Sequence, residues 1–394
     1  MSERARAHAA LDAAAASAAL HERVRAFARR ALGEGAAARG LEPAEGFEAL
    51  ALDIARFQAQ HGAALARLCR HHAARLDALD DVPAVPADAF RLTRIAAHPE
   101  AEDVARFVTS GTTGGAGRHA FRTLETYREL SVRWGRRALL GGAPRCTALA
   151  LAPPFEPERR SSLGFMLQQF MLDFDGRGLD GGVFDPRAPA RWLLAGGRVD
   201  VDGLRRGAAL AAERGEPLLL LATSFALVWL LDVLAGAELP LPAGSRVMLT
   251  GGFKGRSRSV DERDLAAALC QTFALGPERL VGEYGMTELS SQLYDSGARP
   301  GEGQSVFVEP PWLRVTPVDP ISLSPVAEGE QGLACFTDLA NVDSALRVLT
   351  LDRVRRVAGG IVLCGRQPGA RMRGCSLAIE LLAERHAAAG EAAP

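Results

Sequence analysis

Arg246-Val-Met-Leu-Thr-Gly-Gly-Phe-Lys254 runs a short apolar strand directly into two glycines and a cation. The run is too short for a helix, and the glycines end it in a turn where backbone can approach a ligand closely. Three other stretches repeat the texture. Ala148–Ala152, Leu218–Ala222 and Arg279–Gly282 read as strands, each leading into a polar or Gly-containing turn. Helical stretches separate them. Strands alternating with helices predict a mostly parallel α/β sheet with sites gathered at the strands' C-terminal ends. From about Val306 the pattern changes to short strands between Pro and Gly turns: Phe307-Val308, Leu313–Val315, Gly332–Phe336, Ala345–Leu351 and Gly360–Cys364. These predict a small β-rich subdomain.

Upstream, Phe47, Leu50, Ile54 and Phe57 recur at helical spacing, as do Leu65 and Leu68. His71 and His72 read as part of a solvated helical face. Asp81-Val-Pro-Ala-Val-Pro-Ala-Asp-Ala-Phe90 is a Pro-punctuated extended connector. Residues 1–40 hold 16 Ala and seven Arg with few large apolar side chains, which predicts a helical or frayed arm that builds little core.

Composition narrows the function classes. A length of 394 residues at roughly 150 per domain predicts two to three units. With 46 basic and 47 acidic side chains the net charge is -1, so nothing points to a nucleic-acid partner. The six cysteines form no C-x-x-C pair, which argues against a zinc site and a disulfide framework and fits a reducing cytoplasm. The longest apolar run, Leu218–Leu231, is too short to cross a bilayer and contains Thr223 and Ser224. No signal-peptide core is present near the first residue. The expectation is a cytoplasmic protein with no membrane span.

Two residue types are nearly absent. Lys254 is the single lysine beside 45 arginines, and Asn341 is the single asparagine. A position that kept Lys against such pressure is one where a compact ammonium serves and a planar guanidinium does not.

Three segments carry chemistry. Thr109-Ser-Gly-Thr-Thr-Gly-Gly-Ala-Gly117 offers backbone N–H groups and hydroxyls to phosphate oxygens, although a plain Gly loop has the same composition. It is not a Walker A loop, for it has no Lys and the wrong spacing. Thr250-Gly-Gly-Phe-Lys254 sets the ammonium beside two glycines. Gly282-Glu-Tyr-Gly-Met-Thr-Glu-Leu-Ser-Ser-Gln-Leu-Tyr294 combines an aromatic face, a hydroxyl and a carboxylate able to hold Mg²⁺.

Ser110-Gly-Thr-Thr-Gly114 with Tyr284-Gly-Met-Thr-Glu288 resembles the paired core motifs of adenylate-forming enzymes. Leu349-Thr-Leu-Asp352 followed by Gly365-Arg366 resembles their ribose-binding aspartate and hinge arginine. Further stretches sharpen the likeness: Pro83–Phe90, Ser161-Ser-Leu163, Gly251-Gly-Phe-Lys254, Asp338-Leu-Ala-Asn341 and Arg373-Gly-Cys-Ser-Leu377. With them, residues 47–380 are similar to the acyl-protein synthetases of bacterial bioluminescence.

The resemblance implies an α/β fold, the large N-terminal domain of adenylate-forming enzymes. That domain has layered α/β sheets and a small β-rich subdomain, and here a truncated C-terminal domain follows it. The expected organisation is an arm at 1–46, an adenylation domain at 47–352 and a short segment after the hinge at 353–394. The implied activity turns a carboxylic acid, a fatty acid in that family, and ATP into acyl-AMP and pyrophosphate. The acyl group then passes to a cysteine of the enzyme and on to a partner protein such as a reductase or carrier.

By the resemblance Ser110, Gly111, Thr112, Thr113 and Gly114 hold the β,γ-phosphates, with Thr109, Gly251 and Gly252 also at the nucleotide. Tyr284 flanks adenine, Glu283, Gly285 and Met286 are cofactor-binding beside it, and Asp352 takes the ribose hydroxyls. Thr287 touches the α-phosphate or carboxylate, Glu288 holds Mg²⁺, and Arg366 lies on the ribose or phosphate side. Lys254 is the candidate for the transition-state charge. Cys375, in the basic stretch Arg371-Met-Arg-Gly-Cys375, is the candidate acyl carrier, although the same stretch also reads as an ordinary strand.

Two departures mark limits. Gly117-Arg118 stands where common adenylating enzymes have Lys, and no second Lys is available for the usual C-terminal domain. The alternatives are an acyl-CoA or amide ligase of the phenylacetate-CoA ligase type, with CoA or an amine as acceptor, and a non-catalytic nucleotide-binding homologue.

Overall fold

The computed structural model describes residues 3–33, 45–109, 116–180, 182–185, 187–251, 261–297 and 304–367. Two compact units share them. One gathers the residues up to Leu130, Met286–Ser291 and those from Glu309 onward; the other holds Ser131–Gly285 and Gln292–Val308.

The second unit is built on the predicted parallel sheet. Thr147–Leu151, Leu218–Thr223, Arg246–Thr250 and Leu280–Tyr284 pair side by side in that order, all parallel. Leu293–Asp295 and Val306–Val308 then extend the edge as antiparallel strands. Leu218-Leu-Leu-Leu-Ala222 is buried along its whole length, the pattern of a strand covered on both faces. The apolar run ends where the Thr223 hydroxyl accepts a hydrogen bond from the Ala226 amide and starts the helix Ser224–Leu234. Leu204, Leu227, Leu230, Leu269 and Phe273 from the helices pack with Leu149, Leu220 and Val247 from the strands in one core. At Gly207 the helix Val201–Glu213 comes so close to the sheet that a Cβ there would strike Leu149.

The first unit carries the predicted β-rich part. Leu313–Val318, Gln331–Asp338, Arg347–Val357 and Gly360–Arg366 form an antiparallel sheet, and Val85–Pro86 adds to Arg347–Val357 in parallel. A hairpin of Ala105–Val108 and Arg118–Phe121 frames the Gly loop. The helices Phe47–His61 and Ala63–His71 lie where the spacing predicts them.

One sequence expectation reads differently in the structure. The Ala/Arg-rich segment forms a helix, Glu3–Ala31, that does contribute buried side chains: Ser17, Leu20, His21, Val24 and Ala28. His21 Nε2 lies 2.9 Å and Ser17 Oγ 2.7 Å from the Asp343 carboxylate, so the helix is held by buried polar bonds as well as by packing.

Candidate active site

In the first unit the Gly loop closes a hairpin, so its two ends are fixed to each other. The Thr109 amide donates to the Gly117 carbonyl at 3.0 Å, and the Gly117 amide donates back to Thr109 Oγ1 at 2.8 Å. Gly117 is closely surrounded by side chains. A methyl group on it would stand 3.1 Å from Thr109 Cγ2 and 3.4 Å from Glu288 Oε1. The carboxylate of the second motif therefore lies against the closing residue of the first.

The segment Met286–Ser291 is tied down residue by residue. His119 Nδ1, on the strand after the loop, donates to the Thr287 carbonyl at 2.8 Å. Burial pushes the His119 imidazole down to about 4, with the Thr287 bond pulling only part of the way back, so it is neutral at physiological pH. It packs against Phe121 at 4.2 Å and Phe90 at 5.7 Å between ring centroids. The Glu288 carbonyl accepts from Asn341 Nδ2 at 3.0 Å, and the Ser290 amide donates to Asp338 Oδ2 at 2.9 Å. Burial pushes Asp338 up to about 6. That value already includes the opposing pull of the Ser291 hydroxyl and the Ala340, Ser290 and Ser291 amides, so at neutral pH it is mostly an anion.

Asp352 and Arg366 face each other across neighbouring strands, with Nε 3.9 Å from Oδ1. Both are partly exposed, so the pair adds little stability and leaves polar atoms toward solvent. That suits groups meant to meet hydroxyls of a ligand.

In the second unit Thr250 and Glu283 are register partners at the ends of adjacent strands, and the Thr250 hydroxyl donates to the Glu283 carboxyl. Gly251 follows with φ +74°, a conformation that favours glycine. Tyr284 is half-buried beside Leu293. Gly285 gives the Glu283 carboxyl room, for a Cβ there would stand 2.6 Å from Oε1.

Burial pushes Glu283 up to about 7 against the lowering effect of the Thr250 bond. A carboxyl raised on folding stabilises the fold fully below its unfolded pKa near 4.5, and that contribution fades as pH rises through 7. Relative to Glu283→Gln, the wild type should therefore lose on the order of 3 kcal/mol of stability between pH 4.5 and 8. Denaturant unfolding of both proteins at several pH values checks this; a difference independent of pH would contradict it.

No family model matches the chain. Over 314 residues it is 22% identical to the long-chain-fatty-acid–luciferin-component ligase of Vibrio harveyi, covering 76% of this chain and 78% of that protein. The ligase of the same name from Aliivibrio fischeri is 22% identical over 290 residues, 72% of this chain and 71% of that one. Among solved structures, an open conformation of 2-hydroxyisobutyryl-CoA ligase with 2-HIB-AMP and CoA superposes with TM-score 0.53 at 15% identity. That match covers 85% of this chain and 82% of that one. The same ligase in its thioesterification state gives TM-score 0.55 at 16% identity, covering 83% and 72%. The chain has the adenylate-forming ligase fold.

Within that fold Thr109, Thr287 and Glu288 come together in the first unit, and Asp352 meets Arg366 there. Gly251, Glu283, Tyr284 and Gly285 sit in the second unit, and Met286 opens the segment that belongs to the first. Ser110, Gly111, Thr112, Thr113, Gly114, Gly252, Lys254 and Cys375 lie outside the described residues. Sequence reasoning missed His119. Its partner is 168 residues away, and the only local signal is a histidine amid apolar strand residues just after the loop. It also missed the face Ser17, His21, Val24, Ala28 of the first helix, whose three- and four-residue spacing was there to be read. Among the described residues, no helix is long and apolar enough to cross a membrane.

Proposed function

We propose that this chain activates a long-chain fatty acid with ATP and passes the acyl group to Cys375 and then to a partner protein. It is an ATP-dependent, AMP-forming acyl ligase: the ligases related in sequence and the ligase fold both support that class. The observation that carries the reading is the Glu288 carboxylate set against Gly117, the closing residue of the Gly loop.

A carboxylate oxygen of the acid attacks the α-phosphorus, the new O–P bond forms, and pyrophosphate leaves with the electron pair of the broken P–O bond. Positioning and charge stabilisation are the protein's part. Ser110–Gly114 are assigned to the β,γ-phosphates, and Thr287 to the α-phosphate or carboxylate. Tyr284 lies against adenine, while Asp352 and Arg366 take the ribose side. The Lys254 ammonium balances the charge that develops at phosphorus.

Among the described residues no group of three or more His, Cys, Asp or Glu could hold a metal by itself. Mg²⁺ needs no such cage, because one or two carboxylates plus substrate phosphates hold it, and Glu288 fits that role. Bound there, it would neutralise phosphate charge. In the second step the Cys375 thiolate attacks the acyl carbonyl, a C–S bond forms, and AMP leaves with the electrons of the broken C–O bond.

A second reading keeps adenylation and changes the acceptor to CoA, which the solved 2-hydroxyisobutyryl-CoA ligase complexes favour. Exchange of labelled pyrophosphate into ATP tests adenylation. Turnover that requires CoA, with no acylated protein, would select the second reading.

A further inference from the structure

We propose that Asn341 is a positioning residue for Glu288, an assignment that rests on the adenylation reading above. Asn341 is the one asparagine in the chain, and it is 1% exposed. Its amide uses every kind of bond an amide can make. Nδ2 donates to the Glu288 carbonyl at 3.0 Å and to the Ala345 carbonyl at 2.9 Å, and Oδ1 accepts from the Ser290 hydroxyl at 2.7 Å. No other side chain of that size supplies two donors and an acceptor together.

The effect is on the backbone that carries Glu288. The carbonyl before its Cα is held by His119 and the carbonyl after it by Asn341. Asp338 holds the Ser290 amide and the Ser291 hydroxyl just beyond. With both flanking peptides fixed, the carboxylate searches only its own rotamers, so its position is set before a ligand arrives. Asn341 is itself anchored from behind. Gln58 Nε2 donates to the Asn341 carbonyl at 2.7 Å and the Val342 carbonyl at 3.0 Å, and the Asp343 carboxylate accepts from Ser17 and bonds to His21. The first helix thus reaches the candidate metal ligand through one short loop.

Asn341→Asp keeps the shape, removes both donors and turns a carboxylate toward two carbonyl oxygens. The test measures Mg²⁺ binding by calorimetry in the presence of the non-hydrolysable ATP analogue AMPCPP, with thermal unfolding alongside. The Mg²⁺ dissociation constant should rise at least tenfold in Asn341→Asp. Ser290→Ala, which removes one bond to Asn341, should raise it about threefold. In pyrophosphate exchange the Mg²⁺ requirement should rise by the same factors while the KM for the carboxylic acid stays constant. If Asn341→Asp does not fold, Ser290→Ala carries the test. A folded variant that melts earlier yet binds Mg²⁺ as the wild type does would overturn the assignment and leave the adenylation reading standing. A wild type that shows neither Mg²⁺–AMPCPP binding nor exchange would overturn the reading and the assignment together.

Discussion

Incubated with ATP, Mg²⁺ and tetradecanoic acid labelled in the carboxyl carbon, the wild-type chain should acquire a label that hydroxylamine removes, and Cys375→Ala should acquire none. Pyrophosphate exchange by the variant should continue, because the thiol acts only after acyl-AMP has formed. The choice of cysteine rests on which thiols can ionise. Burial pushes Cys146 up to about 12 and raises Cys69, Cys270 and Cys335 as well, so these four are poor nucleophiles near neutral pH. Cys375 has Arg371 and Arg373 close by in sequence, and nearby positive charge enriches the thiolate. Label that persists in Cys375→Ala would move the nucleophile elsewhere, with Cys364 the next to replace. Transfer to CoA without labelled protein would select the second reading.

Glu288→Gln should lower pyrophosphate exchange about 100-fold, roughly 2.7 kcal/mol of barrier. Gln matches Glu in shape, so the packing against Gly117 and the anchors at Thr287, Glu288 and Ser290 are kept. What disappears is the anion, and with it the proposed ligand of Mg²⁺. The loss should shrink as Mg²⁺ is raised, since weaker binding is offset by mass action. Full activity at low Mg²⁺ would contradict this role for Glu288.

The parallel sheet was legible because its strands are buried on both faces, and burial of that kind writes uninterrupted apolar runs. Arg246–Thr250 has the predicted bounds, and Leu280–Tyr284 differs from prediction by one residue at its start and two at its end. Strand Arg347–Val357 was harder. Past Leu351 it reads Asp-Arg-Val-Arg-Arg-Val, a charged stretch that continues as strand because its partners pair with it and Arg356 meets Glu309. The motifs point to two segments of the candidate site but not to what holds them. The contact of His119 with Thr287 and that of Asn341 with Glu288 join residues far apart in the chain, and no local periodicity encodes either. The first helix misled for another reason. Its Ala-rich face adds little apolar bulk, and it docks through Ser17 and His21, polar side chains that composition assigns to solvent.

Joining a carboxylic acid to AMP is the activity proposed for this chain. Its most direct test is exchange of labelled pyrophosphate into ATP by the purified protein over a panel of fatty, aryl and amino acids. Exchange should depend on a long-chain fatty acid, with AMP and no ADP as the nucleotide product. Exchange with no acid in the panel, or release of ADP, would contradict it.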